Sequence, residues 1–340
     1  MDDRYSRQML FSPIGVEGQK RIGGKHVLIV GIGALGSSIS EMLSRAGVGK
    51  LTLIDRDYVE TSNLQRQQLF SEKDALDKLP KAVAAKSRLT EINSDIEIEA
   101  IVGEADVPTL ERLAPTVDLI IDGTDNFEIR FLLNDVAYKY NIPWIFGSCV
   151  GSYGSTFTII PGMTPCLHCL LKKLPMKGQT CDTVGIIAPT VQMVTAYQAA
   201  EALKILSENW DALRRTYITF DLWENHHLSI KTSDALKNTD CLTCGEERTH
   251  PFLSHESQTK TAVLCGRNTV QIRPANGSLP SLDQLSSQWK QAGYQVNQNP
   301  YLISVHKEDV KMVMFKDGRA LIHGTNDPIK AKRIYYSFVG

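Results

Sequence analysis

The chain alternates between short apolar runs and longer stretches in which apolar positions recur every three or four residues. Val27 to Val30 is an apolar run of strand length, followed by a glycine turn and a helical pattern from about Leu35 to Arg45. "AGVG" closes that helix with glycines suited to a helix C-terminus, and "LTLID" (Leu51 to Asp55) reads as the next strand. The polar connection "RDYVETSNLQRQQLF" is too long for a simple turn and is read as functional or partly helical. Helix and strand then recur in "LPKAVAAKSRLTEIN" and "IEIEAIV", in "PTLERLA" and "VDLIIDGTDN", and in "FEIRFLLNDVAYKYN" and "IPWIFGSCV". This βαβα succession predicts an α/β fold: a Rossmann-like, mostly parallel sheet with helices on both faces.

The pattern changes after Val150. "STFTIIP", "RTYITFDLW" and "HHLSIKT" read as strands of a more antiparallel extension, with a long helix from about Pro189 to Leu206 between them. The polar stretch "GEERTHPFLSHESQTK" breaks the pattern. Beyond it the tail reads strand ("TVQIRP"), helix ("SLDQLSSQWKQAG"), strand ("YLISVH"), a hairpin turning at "KDG", and a last helix, "DPIKAKRIYYSFV". The expected organisation is a nucleotide-binding domain over 1–248, a linker over 249–260 and a small α+β domain over 261–340, since 340 residues exceed a comfortable single core.

Composition narrows the function classes. A formal net charge of −1 provides no global basic field for nucleic acid or an anionic membrane, so an anionic ligand needs a local cluster of Arg and Lys. No apolar run spans a bilayer and "MDDRYSRQML" is not a signal peptide, which makes a cytoplasmic protein the expectation.

Within "HVLIVGIGALG", Gly31, Gly33 and Gly36 have the spacing that lets a strand turn tightly into a helix whose N-terminal N–H groups face a phosphate. Asp55, at the end of the second strand, can accept hydrogen bonds from ribose hydroxyls. These residues fit NAD and ATP equally. "SNLQRQ" (Asn63, Arg66, Gln67), Lys81 at the head of the next helix, and Arg4 and Arg7 near the chain start favour a triphosphate, whose greater charge needs cations. In "IIDGTDN", Asp125 is placed to hold Mg²⁺ at the carboxyl end of a strand, whereas Asp122, still within the apolar run, is read as capping or turning the chain.

Of the 7 cysteines, Cys166 and Cys169 ("CLHC") pair with Cys241 and Cys244 ("CLTC") as the ligand set of a closed, structural zinc site. His168 is then a solvent-facing spacer. Cys181 reads as an exposed loop thiol, either reactive or incidental, with no adjacent His to activate it; Cys149 and Cys265 read as buried and inert.

Taken together, "RYSRQ", "GIGALG", "LIDRDYVETSNLQRQ", "LPKA", "GTDN", "PCLHC", "TCDTVGIIAP" and "CLTCG" resemble the ThiF/MoeB family, relatives of the ubiquitin-activating enzymes, over roughly residues 1 to 248. Ala34 stands where many relatives have glycine. The resemblance implies an adenylyltransferase that uses ATP and Mg²⁺ to activate the C-terminal glycine carboxylate of a ubiquitin-like sulfur carrier of the ThiS or MoaD type. It implies Asp55 on the ribose, Asn63, Arg66 and Lys81 on the phosphates, and Asp125 on magnesium. It also implies that Arg7 reaches the triphosphate of a neighbouring subunit in a homodimer, and that Cys181 matches a cysteine linked to the carrier in some members. The four CxxC cysteines match zinc ligands, and a sulfur donor such as a cysteine desulfurase is a further partner. A carboxylate is already ionised at neutral pH, which fits the lack of a convincing catalytic His. The tail lies outside the resemblance, and "LCGRNTVQI" does not look like a sulfur-transferring rhodanese loop. The rival readings are an NAD-dependent oxidoreductase, a non-catalytic zinc scaffold and a tRNA-carboxylate-activating relative.

Overall fold

The structure, a computed structural model, describes residues 3–173, 184–232, 239–254, 261–264, 268–272, 281–307 and 310–339. The chain forms two compact units, one of Met1–Gln179 with Gly185–His255 and one made mainly of Glu256–Gly340.

The first unit is built on an eight-stranded sheet. Strands β1 (His26–Val30), β2 (Lys50–Asp55), β3 (Glu97–Val102), β4 (Leu119–Asp122) and β5 (Trp144–Val150) run parallel. Strands β6 (Tyr153–Ile159), β7 (Thr216–Asp221) and β8 (His226–Lys231) continue it antiparallel, in the order β3-β2-β1-β4-β5-β6-β7-β8. Successive strand residues point to opposite faces, and both faces are covered. Leu28, Val30, Ile120, Trp144 and Phe146 enter one core, while Val27, Ile29, Leu119, Ile121 and Ile145 enter the other. This explains why the parallel strands read as unbroken apolar runs.

The unit's helices are α1 (Ser6–Leu10), α2 (Gly15–Gly23), α3 (Ala34–Arg45), α4 (Glu72–Leu76), α5 (Lys81–Ile92), α6 (Val107–Leu113), α7 (Phe127–Tyr140), α8 (Leu167–Lys173) and α9 (Ala188–Leu206). Residues of α2, α3, α5 and α9 fill the second core, and residues of α6, α7 and α8 fill the first. Helix α7 starts where Asn126 accepts the N–H of Glu128 at 2.8 Å, and ends at Asn141 in the left-handed conformation. Within the polar stretch that opens at Gly245, Pro251–Leu253 make a 3₁₀ turn. There the N–H of Phe252 donates to Asp135 Oδ2 at 2.8 Å, and its ring packs 5.2 Å from that of Phe131.

The second unit is an antiparallel sheet with two helices. Its strands are β9 (Thr261–Leu264), β10 (Thr269–Ile272), β11 (Gln295–Gln298), β12 (Leu302–Lys307), β13 (Val310–Phe315) and β14 (Ala320–His323), ordered β11-β12-β13-β14-β10-β9. Its helices are α10 (Leu282–Gln291) and α11 (Pro328–Val339). Val270, Ile303, Met312 and Ile322 pack against Leu285, Trp289 and Phe338, and the Trp289 indole donates to the Phe338 carbonyl at 2.8 Å. Among the described residues, no helix is long and apolar enough to cross a membrane.

Candidate active site and metal centre

Strand order reverses between β1 and β4, so the turns after these two strands lie side by side. In open α/β sheets ligands bind at such a point, outside the carboxyl ends of the strands. Gly31 follows β1 with φ of +83°, and Gly123 follows β4. The two backbones nearly touch: a Cβ on Gly123 would lie 2.2 Å from the Gly31 carbonyl oxygen, and one on Gly36 only 1.8 Å from the same atom. Gly36 thus lets α3 press onto the turn, whereas a Cβ on Gly33 would meet Gln67 Nε2 at 3.9 Å, an ordinary contact. Gly36→Ala is expected to cost about 3 kcal/mol, the upper range of overpacking, or to abolish folding. Urea denaturation checks this, and an unchanged midpoint would contradict the close approach.

Asp55 lies buried at the end of β2. Its Oδ2 accepts the N–H of Ile32 at 2.6 Å and its Oδ1 that of Asp57 at 2.7 Å, which fixes the carboxylate beside the glycine turn. Burial pushes its pKa up and the ammonium of Lys81 opposes that shift. Lys81 reaches the site because its N–H donates to the Asp57 carbonyl, and that of Val59 to the Leu79 carbonyl. Its buried side chain lies 3.4 Å from Asp57 Oδ2.

The polar connection is ordered by a reciprocal cap. The N–H of Glu60 donates to Asn63 Oδ1 at 3.1 Å, and the N–H groups of Arg66 and Gln67 donate to the Asn63 carbonyl. This turn returns Gln67 to the glycine turn, buried, with an Oε1 that has no hydrogen-bond partner among the described residues. Such an orphaned acceptor is what a bound hydroxyl or water would satisfy. Arg66 is half-exposed and, among the described residues, bonds locally, donating to the Ser62 carbonyl at 2.9 Å. Gln68 then accepts from Gln192 of α9 at 2.7 Å, so this segment is tied to α9.

Asp125 is exposed in the turn after β4. Asp122 turns the chain: its Oδ1 accepts both the N–H and the hydroxyl of Thr124, at 2.9 and 2.7 Å. Its Oδ2 pairs with buried Arg130 at 2.9 Å, a partner the sequence reading did not find. Arg4 and Arg7 are not brought to this site by their own chain. Arg4 donates to the Ile92 carbonyl at 3.0 Å, at the C-terminal end of α5. Arg7 is exposed on α1, and the adjacent Gln8 bonds to the Ala46 carbonyl at the C-terminal end of α3, whose N-terminal end carries the glycine turn. Cys181 lies outside the described residues, as does Cys265. Cys149 is half-buried rather than buried, packed against the cluster of Leu35 and Val191.

The four CxxC cysteines converge, with all four sulfurs within 4.8 Å of one another. Cys166 Sγ is 3.6 Å from Cys241 Sγ, and Cys169 Sγ is 3.5 Å from Cys244 Sγ. Contacts with the Cys169 and Cys244 thiols, together with burial, push the Cys166 thiol far up. Four convergent, soft sulfur donors are the ligand set of a closed tetrahedral zinc site, and they fit a bound dication. His168 corrects the sequence reading: it is half-buried, stacked on Phe131 at 4.4 Å and 7°. The Thr243 hydroxyl donates to Asp135 Oδ1 at 2.5 Å and lies 3.2 Å from His168 Nδ1. His168 therefore joins the second cysteine pair to α7. Its neighbours come from distant segments, so spacing alone did not show it.

The family model that matches residues 5–243 is that of the ThiF family, which is most of the chain. The chain belongs to the ThiF family. Among its ThiF-family relatives, the sulfur carrier protein ThiS adenylyltransferase of Bacillus subtilis is 51% identical over 341 residues, the full length of both. The molybdopterin-synthase adenylyltransferase of Escherichia coli is 34% identical over 245 residues, covering 72% of this chain and 96% of that protein. Among solved structures, E. coli MccB with ATP superposes with a TM-score of 0.62 at 26% identity, covering 72% of this chain and 74% of that one.

Proposed function

We propose that this ThiF-family chain adenylates the C-terminal glycine carboxylate of a ubiquitin-like sulfur carrier, consuming ATP and releasing pyrophosphate. The observation that carries the reading is the meeting, at one switch point, of a glycine cradle, a fixed ribose-height carboxylate and buried Lys81. The full-length relative from Bacillus subtilis favours a ThiS-type carrier and thiamine synthesis over a MoaD-type carrier.

In this reading the α3 N-terminus faces the phosphates, and Asp55, already held by two N–H groups, accepts from ribose hydroxyls. Asn63 and Gln67 shape the pocket. Arg66 and Lys81 bind the polyphosphate and stabilise the charge that grows on departing pyrophosphate. Magnesium, held by Asp125, would neutralise phosphate charge. The carrier carboxylate attacks the α-phosphorus without a general base, because it is ionised at neutral pH. The cysteine cluster would hold zinc with no open position for water, so its role is structural.

Arg7 completes the site from the other copy of a homodimer. Its position at the opposite end of α3 supports this, as do its neighbours Leu10, Phe11 and Val16, which are 72%, 60% and 50% exposed and need a cover. Cys181 is a candidate for a covalent link to the carrier. Thermal shift with nucleotides tests the ligand class: MgATP should raise Tm and NADH should not, and the reverse would overturn the reading in favour of an oxidoreductase.

A further inference from the structure

The turn that presents Asp125 is held by a side chain with no role in the account above. Arg130, on the second turn of α7, is 3% exposed and cannot itself reach a substrate. Its Nε donates to Asp122 Oδ2 at 2.9 Å, and its Nη2 donates to the Thr124 carbonyl at 2.6 Å and the Gly147 carbonyl at 2.9 Å. The guanidinium also lies 5.1 Å from the ring centroids of both Phe127 and Phe146. One planar fork therefore joins the end of β4, the turn after it and β5. Gln198 of α9 braces the same point, donating to the Asp122 carbonyl at 2.9 Å. It is admitted because residue 147 is glycine, where a Cβ would lie 2.5 Å from Gln198 Nε2.

A buried ion pair is weak as a source of stability, since desolvation offsets its attraction. What this one supplies is geometry: it ties the Thr124 carbonyl, next to Asp125, to the end of β4. We propose that Arg130 is a positioning residue for adenylation, setting where Asp125 would hold magnesium beside the phosphates; this rests on the adenylation reading above. A lysine keeps the charge but not the fork, and a displacement near 1 Å at a reacting site can cost about 100-fold in rate.

The test is carrier-dependent ATP–pyrophosphate exchange by the full chain, with kcat expressed per ATP-binding site. Arg130→Lys should lower kcat by about 10- to 100-fold and raise the Mg²⁺ concentration required. KM for ATP should change by less than about 3-fold, because ribose and phosphate contacts come from other elements. The neutral pair Asp122→Asn/Arg130→Gln removes both buried charges, so it should fold even where Arg130→Lys does not, and its kcat should stay low. Wild-type kcat and Mg²⁺ dependence per site in the neutral pair would overturn the positioning role. No exchange by the unaltered protein with its carrier would instead overturn the adenylation reading, and this role with it.

Discussion

Arg66→Ala and Asp125→Ala should each lower carrier adenylation by about 100- to 1,000-fold, the range for removing one charge-stabilising group from a reacting centre. Both should leave stability within about 0.5 kcal/mol of the unaltered chain. The contrast follows from how each side chain is held. Arg66 is half-exposed and its hydrogen bond is to Ser62, four residues away, so its removal opens no cavity and strands no buried charge. Asp125 is exposed. Lys81 would not separate the two effects, because it is buried beside Asp57 and offsets the burial of Asp55. Pyrophosphate exchange and urea denaturation on the same preparations check both halves. Near-normal exchange in either variant would refute its assigned role.

Loss of the zinc proposed for the cysteine cluster should be the largest stability effect. Cys166→Ala or Cys244→Ala should abolish zinc content and destabilise the first unit by on the order of 5 kcal/mol, a fraction of what a structural zinc contributes to a small finger. The cluster joins α8 to the second cysteine pair, and through Thr243 and His168 to Asp135 of α7. Its loss therefore releases segments from three places along the chain. Metal analysis paired with calorimetry is the measurement. A zinc-free variant of unchanged Tm would show that the four thiols are held by packing alone.

The parallel half of the fold was legible because its strands are buried on both faces. Val27–Val30 sends alternate side chains into two cores, so it reads as a continuous apolar run bounded by glycines. In the second unit β9 was legible as the apolar run before Cys265, but β11 was not. β11 is "QVNQ", whose partners are supplied by backbone pairing to β12 rather than by an apolar face. The site was legible where chain order brings residues together: Asp55 ends β2, and Lys81 opens α5. It was not legible where contacts depend on tertiary approach. Gly123 needs the β1–β4 pairing before its lack of a side chain has meaning. Arg130 stands eight positions beyond Asp122, and their pairing depends on α7 packing against the end of β4. His168 became a stacked, hydrogen-bonded side chain only through residues 131 and 243.

The most direct test of adenylation is intact-mass analysis of ThiS-type and MoaD-type carriers after incubation with the full chain and MgATP. Adenylation of the ThiS-type carrier is the expected result, with pyrophosphate released and the adduct lost when the carrier's terminal glycine is removed. Unmodified carrier of both types, with an ATP-competent and folded enzyme, would contradict it.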